Sequence, residues 1–391
     1  MNVANRYFVN GGVDNNWGTT GNWSTTSGGA GGSAVPLATD DVFFDASSPN
    51  CTVNTSARVA LTLQFTGYTN TITMTNNITV SGSVTLVAAM TISGAGTLSV
   101  NATSTLTSNG KTWPNAFTFG TGTYTVTLSG NWVNSGLVTV NGTNNTITLT
   151  PTAAETFTCS NGLTFSMTTG SFTGTAEVIV TGGTVTGGTS TGSIQTPLTF
   201  AGDVTISSSQ TFRYGAKTLK RTSGTITATG STLFISVSGV TLDTAGMSWN
   251  NVQLVGSAFT FTLASDLTVT GTLTIGSGTN HMIINGAAII ASGPVAVTHN
   301  SGTCSGTATL KLTETQTLTS SHTTGRFANP ITIDASGKTV TFTNAFRCDL
   351  NALKCVAGTV VTGAGTWTAF GGTDNFARGV MVGQQIARAI G

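Results

Sequence analysis

Charge is the scarcest property of this sequence. Only 7% of its 391 residues are Asp, Glu, Lys or Arg, whereas soluble chains average about 25%. The formal net charge is +1, so the chain lacks the long-range field that attracts a polyanion. We therefore predict that it does not bind nucleic acid.

Cysteine is also scarce and irregular. The five cysteines stand at positions 51, 159, 304, 348 and 355 with no CxxC motif. An odd number without regular spacing does not indicate a disulfide framework, and small buried hydrophobes are the default interpretation. Cys348 and Cys355 are near enough in sequence that a single disulfide between them is the alternative.

The sequence has no long apolar run and no recognisable export signal. No stretch approaches the roughly 18 apolar residues of a membrane-spanning helix. The first residues, MNVANRYFVNGG, have neither a basic n-region nor an apolar h-region, so we expect no Sec-type leader. This pattern fits a protein made in a cytoplasm and released by lysis.

Short alternating runs fill the chain from about residue 50 to residue 370. Runs such as NITVSGSVTLV, TYTVTLSGNW and LTVTGTLTIG alternate apolar residues with Thr or Ser and end in Gly, Asn or Ser. This period of two predicts strands, and no helical periodicity separates them. The 38% of hydrophobic residues, which recur regularly, exclude a disordered chain.

The spacing of these strands favours a solenoid over a sandwich, barrel or propeller. Strand cores recur in clusters, so three of them make a coil of roughly 20 to 25 residues, a length typical of solenoid repeats. Larger units also echo one another, with Trp113 in TWPNAFTF matching Trp249 in SWNNVQLV. We predict an all-β, right-handed parallel β-solenoid over residues 51–371 with Val, Ile, Leu and Phe inside and Thr outside.

The first 50 residues differ from this body. They combine aromatic residues, the Gly-rich run SGGAGGSAVP and the acidic segment TDDVFFDA. An open solenoid end exposes unpaired strand edges, so we interpret residues 1–50 as a cap or attachment segment. Trp17 and Trp23 are then lids over the first coil, and the alternative is an exposed platform on which sugars stack.

The same segment carries a family resemblance. RYFVNGG, then NNWGTTGNWS, then SGGAGGSAVP and DDVFFDA, followed by Thr-rich repeats, resembles the β-helical virion surface proteins of tailed bacteriophages. The resemblance covers the N-terminal segment well and the repeats loosely. It implies a role on the virion surface, as a tail fibre, spike or capsid decoration, without fixing which appendage.

Residues 372–391 change character again. In FARGVMVGQQIARAIG, small and apolar residues recur at helical spacing, and Asp374 is placed to cap the start. We predict a short C-terminal helix here. Its candidate assembly contact consists of Phe376, Gly379, Val380, Gly383 and Ala387, and simple docking on the solenoid end is the alternative.

Residues for catalysis are thinly spread. The 13 acids include Asp40, Asp41 and Asp45 in one cluster, which could bind calcium but lacks the D-x-D-x-D-G pattern. Solenoid stacking could pair other acids for glycoside cleavage; these are Asp203, Asp243, Asp266 and Asp334. His281, His299 and His322 show no metal-binding spacing. The cations of RYGAKTLKR could contact a phosphate or an acidic glycan, or could be a solvated strand or loop face; these are Arg213, Lys217, Lys220 and Arg221.

The sequence therefore predicts a structural and adhesive protein without catalytic residues, metal or cofactor. Its expected partners are copies of itself, with a homotrimer favoured, other virion proteins and a host surface glycan. The expected location is the virion surface. A bacterial surface or secreted β-helix adhesin is the first alternative, and a glycan-degrading tailspike is the second.

Overall fold

A computed structural model of the chain describes most of its residues. They are 3–11, 14–54, 56–187, 191–207, 211–215, 217–244, 246–256, 258–276, 281–293, 296–299, 302–320, 326–343, 347–349, 353–362 and 368–370. The C-terminal helix predicted for residues 372–391, with its candidate assembly contact, lies outside this set.

The chain is nearly all β and forms a parallel β-solenoid of about 14 turns. This confirms the predicted fold class, while the hand of the coil stays a prediction. Among the described residues the helical element is a single 3-10 turn, Thr20–Asn22. The chain divides into two compact units, Met1–Thr205 and Ile206–Gly391.

The first unit contains strands β1 to β23 and all of β24 except its last residue, Ile206. They are β1 Asn5–Phe8, β2 Trp23–Ser24, β3 Asp41–Asp45, β4 Cys51–Val53, β5 Arg58–Ala60, β6 Thr62–Thr66, β7 Thr71–Met74, β8 Ile78–Val80, β9 Val84–Thr85, β10 Thr91–Gly94, β11 Leu98–Val100, β12 Ser104–Thr107, β13 Thr112–Trp113, β14 Phe117–Phe119, β15 Tyr124–Ser129, β16 Trp132–Asn134, β17 Val138–Gly142, β18 Asn145–Pro151, β19 Thr156–Cys159, β20 Leu163–Met167, β21 Gly170–Gly174, β22 Glu177–Thr186, β23 Ser193–Gln195 and β24 Leu198–Ile206.

The second unit continues with strands of the same kind. They are β25 Thr211–Tyr214, β26 Thr218–Ser223, β27 Ile226–Ile235, β28 Val240–Asp243, β29 Ser248–Leu254, β30 Thr260–Leu263, β31 Leu267–Val269, β32 Thr272–Ile275, β33 Met282–Gly286, β34 Ile289–Ala291, β35 Ala296–His299, β36 Cys304–Ser305, β37 Leu310–Leu312, β38 Gln316–Ser320, β39 Ile331–Thr343, β40 Arg347–Asp349, β41 Leu353–Thr362 and β42 Thr368–Phe370.

Three strands make one coil, as the spacing predicted. In the first unit β14, β15 and β16 pair in parallel with β17, β18 and β19 of the next coil. In the second unit β30, β31 and β32 pair with β33, β34 and β35. Successive side chains of a strand point to opposite faces. Most apolar residues of each run therefore enter the interior, and most Thr and Ser residues face out.

Side chains at the corners tie each coil to the next. The amide oxygen of Asn77 accepts a hydrogen bond from the backbone N–H of Thr97, 20 residues on. The amide oxygen of Asn131 likewise accepts a hydrogen bond from the backbone N–H of Thr156, 25 residues on. These separations show that coil length varies along the chain, because each bond joins a corner of one coil to the equivalent corner of the next.

Two asparagines also point inward at one corner. Asn134 is fully buried, and its Nδ2 donates to the carbonyl oxygens of Gly136, at 2.7 Å, and Asn115, at 3.3 Å. Asn115 in turn donates to Gly96 O at 3.2 Å. Buried polar groups are costly unless they are hydrogen-bonded. The hydrogen bonds of these two amides reduce the cost of burying polar side chains at this corner.

The ladder of strands begins within the first 50 residues. Strand β1 pairs in parallel with β3, and β3 pairs in parallel with β6 over five residues. The outer edge of β1 is covered by the antiparallel strand β2. Residues 15–17 cover β4, since Trp17 N donates to Thr52 O and Thr52 N donates to Asn15 O. The first strands therefore belong to the solenoid ladder and also cover the strand edges at its N-terminal end.

Candidate functional site

The N-terminal end is filled by a group of aromatic rings that we call the aromatic cap. Its members are Phe8, Trp17, Trp23, Phe44, Phe65 and Tyr68, all buried. Trp17 and Trp23 meet edge to face with centroids 5.0 Å apart, and Phe44 stacks on Phe65 at 5.0 Å. The cap thus continues the core of the first coils rather than standing apart from it.

Trp17 and Trp23 present no ring face to solvent, since each is 0% exposed. The indole N–H of Trp23 donates to the carbonyl oxygen of Trp17 at 2.7 Å. Burial is what a lid requires, and it is incompatible with a sugar-stacking platform at these two rings. The sugar-stacking interpretation of this pair is therefore corrected by the structure.

Asp14 organises the segment that holds the two tryptophans, a role that no motif in the sequence indicated. Its carboxylate accepts hydrogen bonds from the backbone N–H of Asn16 at 3.0 Å, Asn16 Nδ2 at 2.7 Å, Thr19 Oγ1 at 3.1 Å and Asn22 Nδ2 at 3.0 Å. The bond from the Asn16 backbone is the main cause that lowers the pKa of Asp14 below its ordinary value. Its side chain caps the turn that places Trp17.

We expect the cap to weaken in acid because of this carboxylate. The pKa of Asp14 is lower in the folded than in the unfolded chain. Its stabilisation is thus present above the ordinary pKa and is lost as the pH falls through the folded value. Asp14→Asn should melt below wild type near neutral pH, and the difference should shrink as the pH falls below the ordinary carboxyl pKa and the Asp14 carboxylate is protonated. Melting curves of both proteins at several pH values measure this, and a constant difference at every pH contradicts it.

The outward aromatic residues of this end are a different pair. Tyr7 and Phe43 are partly exposed, are register partners in β1 and β3, and stack with centroids 4.7 Å apart and planes 15° apart. The sequence did carry a signal for them, because two adjacent aromatic residues in a strand must face opposite sides. RYF and VFF each place one ring inside and one outside.

The outward faces of the first unit carry ladders of hydroxyl side chains. One ladder runs through six registered positions: Thr79, Ser99, Thr118, Thr139, Thr164 and Thr186. A second joins Thr105, Thr127 and Thr150. Neighbouring strands lie about 4.8 Å apart, so like charges at these positions would repel. Thr keeps the surface polar without that repulsion.

Most of the acids named as candidates are engaged in local structure, and Asp203 is exposed. Asp40 is buried and its Oδ2 accepts from Arg6 Nε at 3.2 Å and from the Leu37 backbone at 3.0 Å. Asp266 Oδ1 accepts from the backbone N–H of Ala288 in the next coil at 2.9 Å. Asp334 lies 3.6 Å from the ammonium of Lys311, and Asp243 is the register partner of Lys220.

Asp45 is held in a turn. Burial raises its pKa, but hydrogen bonds from Ser27, Ser47 and Ser48 outweigh burial and lower the pKa below the ordinary value. Within the described ranges, no group of three or more His, Cys, Asp or Glu side chains could hold a metal ion. His281 is exposed, His299 is buried, and His322 lies outside the described residues.

The basic cluster is also bound locally. The guanidinium of Arg213 lies over the ring of Phe234, 4.0 Å from its centroid, and Arg221 Nε donates to Gly224 O at 2.8 Å. Lys220 faces Asp243 across the ladder, while Lys217 is partly exposed. These contacts favour the interpretation of the cluster as a solvated strand face.

The cysteines behave as small hydrophobes. Cys51, Cys159 and Cys304 are buried and free, and Cys355 is free and partly exposed. Burial raises the pKa of all four thiols, which disfavours the reactive thiolate. The side chain of Cys348 lies outside the described residues, and Cys355 forms no bridge in this structure.

In the part of the chain that the structure describes, no helix has the length and apolar character needed to cross a membrane.

Comparisons with protein-family models, curated proteins and solved structures found no match to the chain. The fold is that of a β-solenoid, which is compatible with a structural or adhesive protein.

Proposed function

We propose that this chain is a non-enzymatic structural and adhesive protein of a tailed-bacteriophage virion. It serves as a tail fibre, spike or capsid decoration, assembles as a homotrimer on the virion surface and contacts a host-surface glycan. The observation that carries the proposal is the ladder of uncharged hydroxyls along a solenoid whose first edges are covered. Such a body resists edge-to-edge pairing and offers a repetitive polar surface.

The resemblance of the N-terminal segment to phage virion proteins supports the same proposal. The segment that carries it, RYFVNGG to DDVFFDA, is also the one that covers the first coil. The resemblance therefore falls on the element that ends the solenoid and protects its strand edges. The assembly contact proposed for the trimer is the stripe of Gly379, Gly383 and Ala387, outside the described residues.

Immunogold electron microscopy of phage particles whose genome encodes the chain tests the virion assignment. Antibodies raised against the purified chain should place gold at one kind of position, a fibre, a spike or the head surface. Particles without label, from infected cells that contain the chain, would contradict the proposal. Light scattering of the purified protein tests the trimer, and a monomeric mass would overturn it.

A further inference from the structure

We propose that the outward face of the first strands is a binding site for a neutral sugar ring of a host-surface glycan. This face consists of Asn5 and Tyr7 on β1, Asp41, Phe43 and Asp45 on β3, and Gln64 on β6, and we call it the Tyr7–Phe43 face. The inference rests on the adhesive part of the proposed function and names where the contact is made.

Aromatic rings on the outside are exceptional in this chain. Among the aromatic side chains whose burial the structure describes, all are buried except Tyr7, Phe43 and Phe234. Phe234 lies under the guanidinium of Arg213, whereas Tyr7 and Phe43 stack on each other. Phe44 already fills the core below them, so the stacked pair is not required to close the solenoid.

Polar groups beside the rings are held in place by one another. Asp41 Oδ1 accepts from Thr62 Oγ1 at 2.6 Å, and Gln64 Nε2 donates to Thr62 Oγ1 at 3.1 Å. Phe43 is the register partner of Gln64. The side-chain amide of Gln64, which can donate and accept hydrogen bonds, therefore lies next to the ring of Phe43. Apolar rings flanked by fixed planar polar groups suit a sugar, which has C–H faces and hydroxyl edges.

The charges of this face select against anionic ligands. Its charged side chains, Asp41 and Asp45, are both carboxylates. Arg6 belongs to the other side of β1, where its guanidinium is paired with Asp40 and its side chain is 15% exposed. An acidic glycan would meet two negative charges without a cation, while the hydroxyls of a neutral sugar can donate to the Asp41 carboxylate.

The size of the aromatic pair argues against a protein partner. A stable protein interface buries about 800 Å² on each side. A fully buried aromatic side chain accounts for only about 150–250 Å², and these two rings are already partly covered. The pair is therefore large enough for one sugar ring and too small to form a stable protein interface on its own.

The test is binding of the purified protein to an array of neutral and acidic oligosaccharides, followed by titration of the best ligand. Wild type should bind neutral oligosaccharides. Phe43→Ala and Tyr7→Ala should each weaken binding at least about tenfold, as loss of an aromatic anchor does, while lowering the melting temperature no more than Phe234→Ala does. Phe234→Ala, which removes the other outward ring, is the matched control and should bind as wild type.

Asp41→Asn tests the charge argument without touching the rings, and should admit acidic oligosaccharides that wild type rejects. If wild type binds no oligosaccharide, the adhesive function and this site both fail. If wild type binds but both alanine variants bind equally well, only the site is wrong. A wild-type preference for acidic glycans also overturns it. So does a change of oligomeric mass in the alanine variants, which would make the face a contact between copies.

Discussion

Deleting residues 1–50 is expected to make the protein aggregate. The deletion removes β1 and β3 and so leaves the whole five-residue length of β6 unpaired on one side. It also removes residues 15–17, which hydrogen-bond to Thr52 in β4. Phe65 loses the stacked ring of Phe44 and becomes exposed beside a bare edge. Unpaired edges next to apolar surface are templates for intermolecular pairing.

Size-exclusion chromatography with light scattering measures this outcome, and an amyloid-sensitive dye reports whether the aggregates are β-rich. Deletion of residues 1–3 is the matched control, because it leaves β1 and its partners intact. That control should behave as wild type. A protein without its first 50 residues that keeps its mass and melting temperature would show that the segment does not protect the first coil.

The strands could be predicted because burial in this fold depends on alternation alone. In TYTVTLS the sequence puts Tyr124, Val126 and Leu128 on one side, and the structure buries all three. The hydroxyl residues between them face outward for the same reason. Nothing beyond period two was needed to assign inside and outside in such runs.

The register between coils could not be predicted in the same way. The corner bonds join residues 20 apart in one place and 25 apart in another, so coil length varies along the chain. At Gly170, φ is 96°, and a Cβ there would collide with the carbonyl oxygen of Asn145. Whether a given Gly ends a coil or only bends one depends on the strand above it, which local sequence does not reveal.

The site shows the same division between local and non-local information. The sequence drew attention to Trp17 and Trp23 because of their rarity, yet the segment NNWGTTGNWS does not alternate, so their orientation could not be read from it. Tyr7 and Phe43 lie in strands, where alternation fixes that one ring of each aromatic pair faces out. That these two rings then meet depends on the pairing of β1 with β3 across more than 30 residues, which is a property of the fold.

Trp23→Ala is expected to loosen the N-terminal end by about 3–5 kcal/mol, the usual cost of truncating a buried Trp. Trp23 is fully buried and contacts Trp17 and Phe8 edge to face, at 5.0 Å and 5.2 Å. Each solenoid repeat contacts mainly its neighbours, so the loss should be local. Amide hydrogen exchange should show lower protection in β1 and β3 and unchanged protection in β15 and β18.

Comparison of Trp23→Phe with Trp132→Phe separates the effect of the hydrogen bond from that of the ring volume. Trp23→Phe removes both the indole bond to Trp17 O and part of the ring. Trp132 is equally buried, and its Nε1 has no partner among the described residues, so Trp132→Phe loses ring volume and an unpaired N–H without breaking a hydrogen bond. We expect Trp23→Phe to be the more damaging of the two by about 1 kcal/mol, the usual net value of a hydrogen bond. Equal effects would mean that the indole bond adds nothing to the cap, and unchanged exchange in Trp23→Ala would mean that the ring is not part of its core.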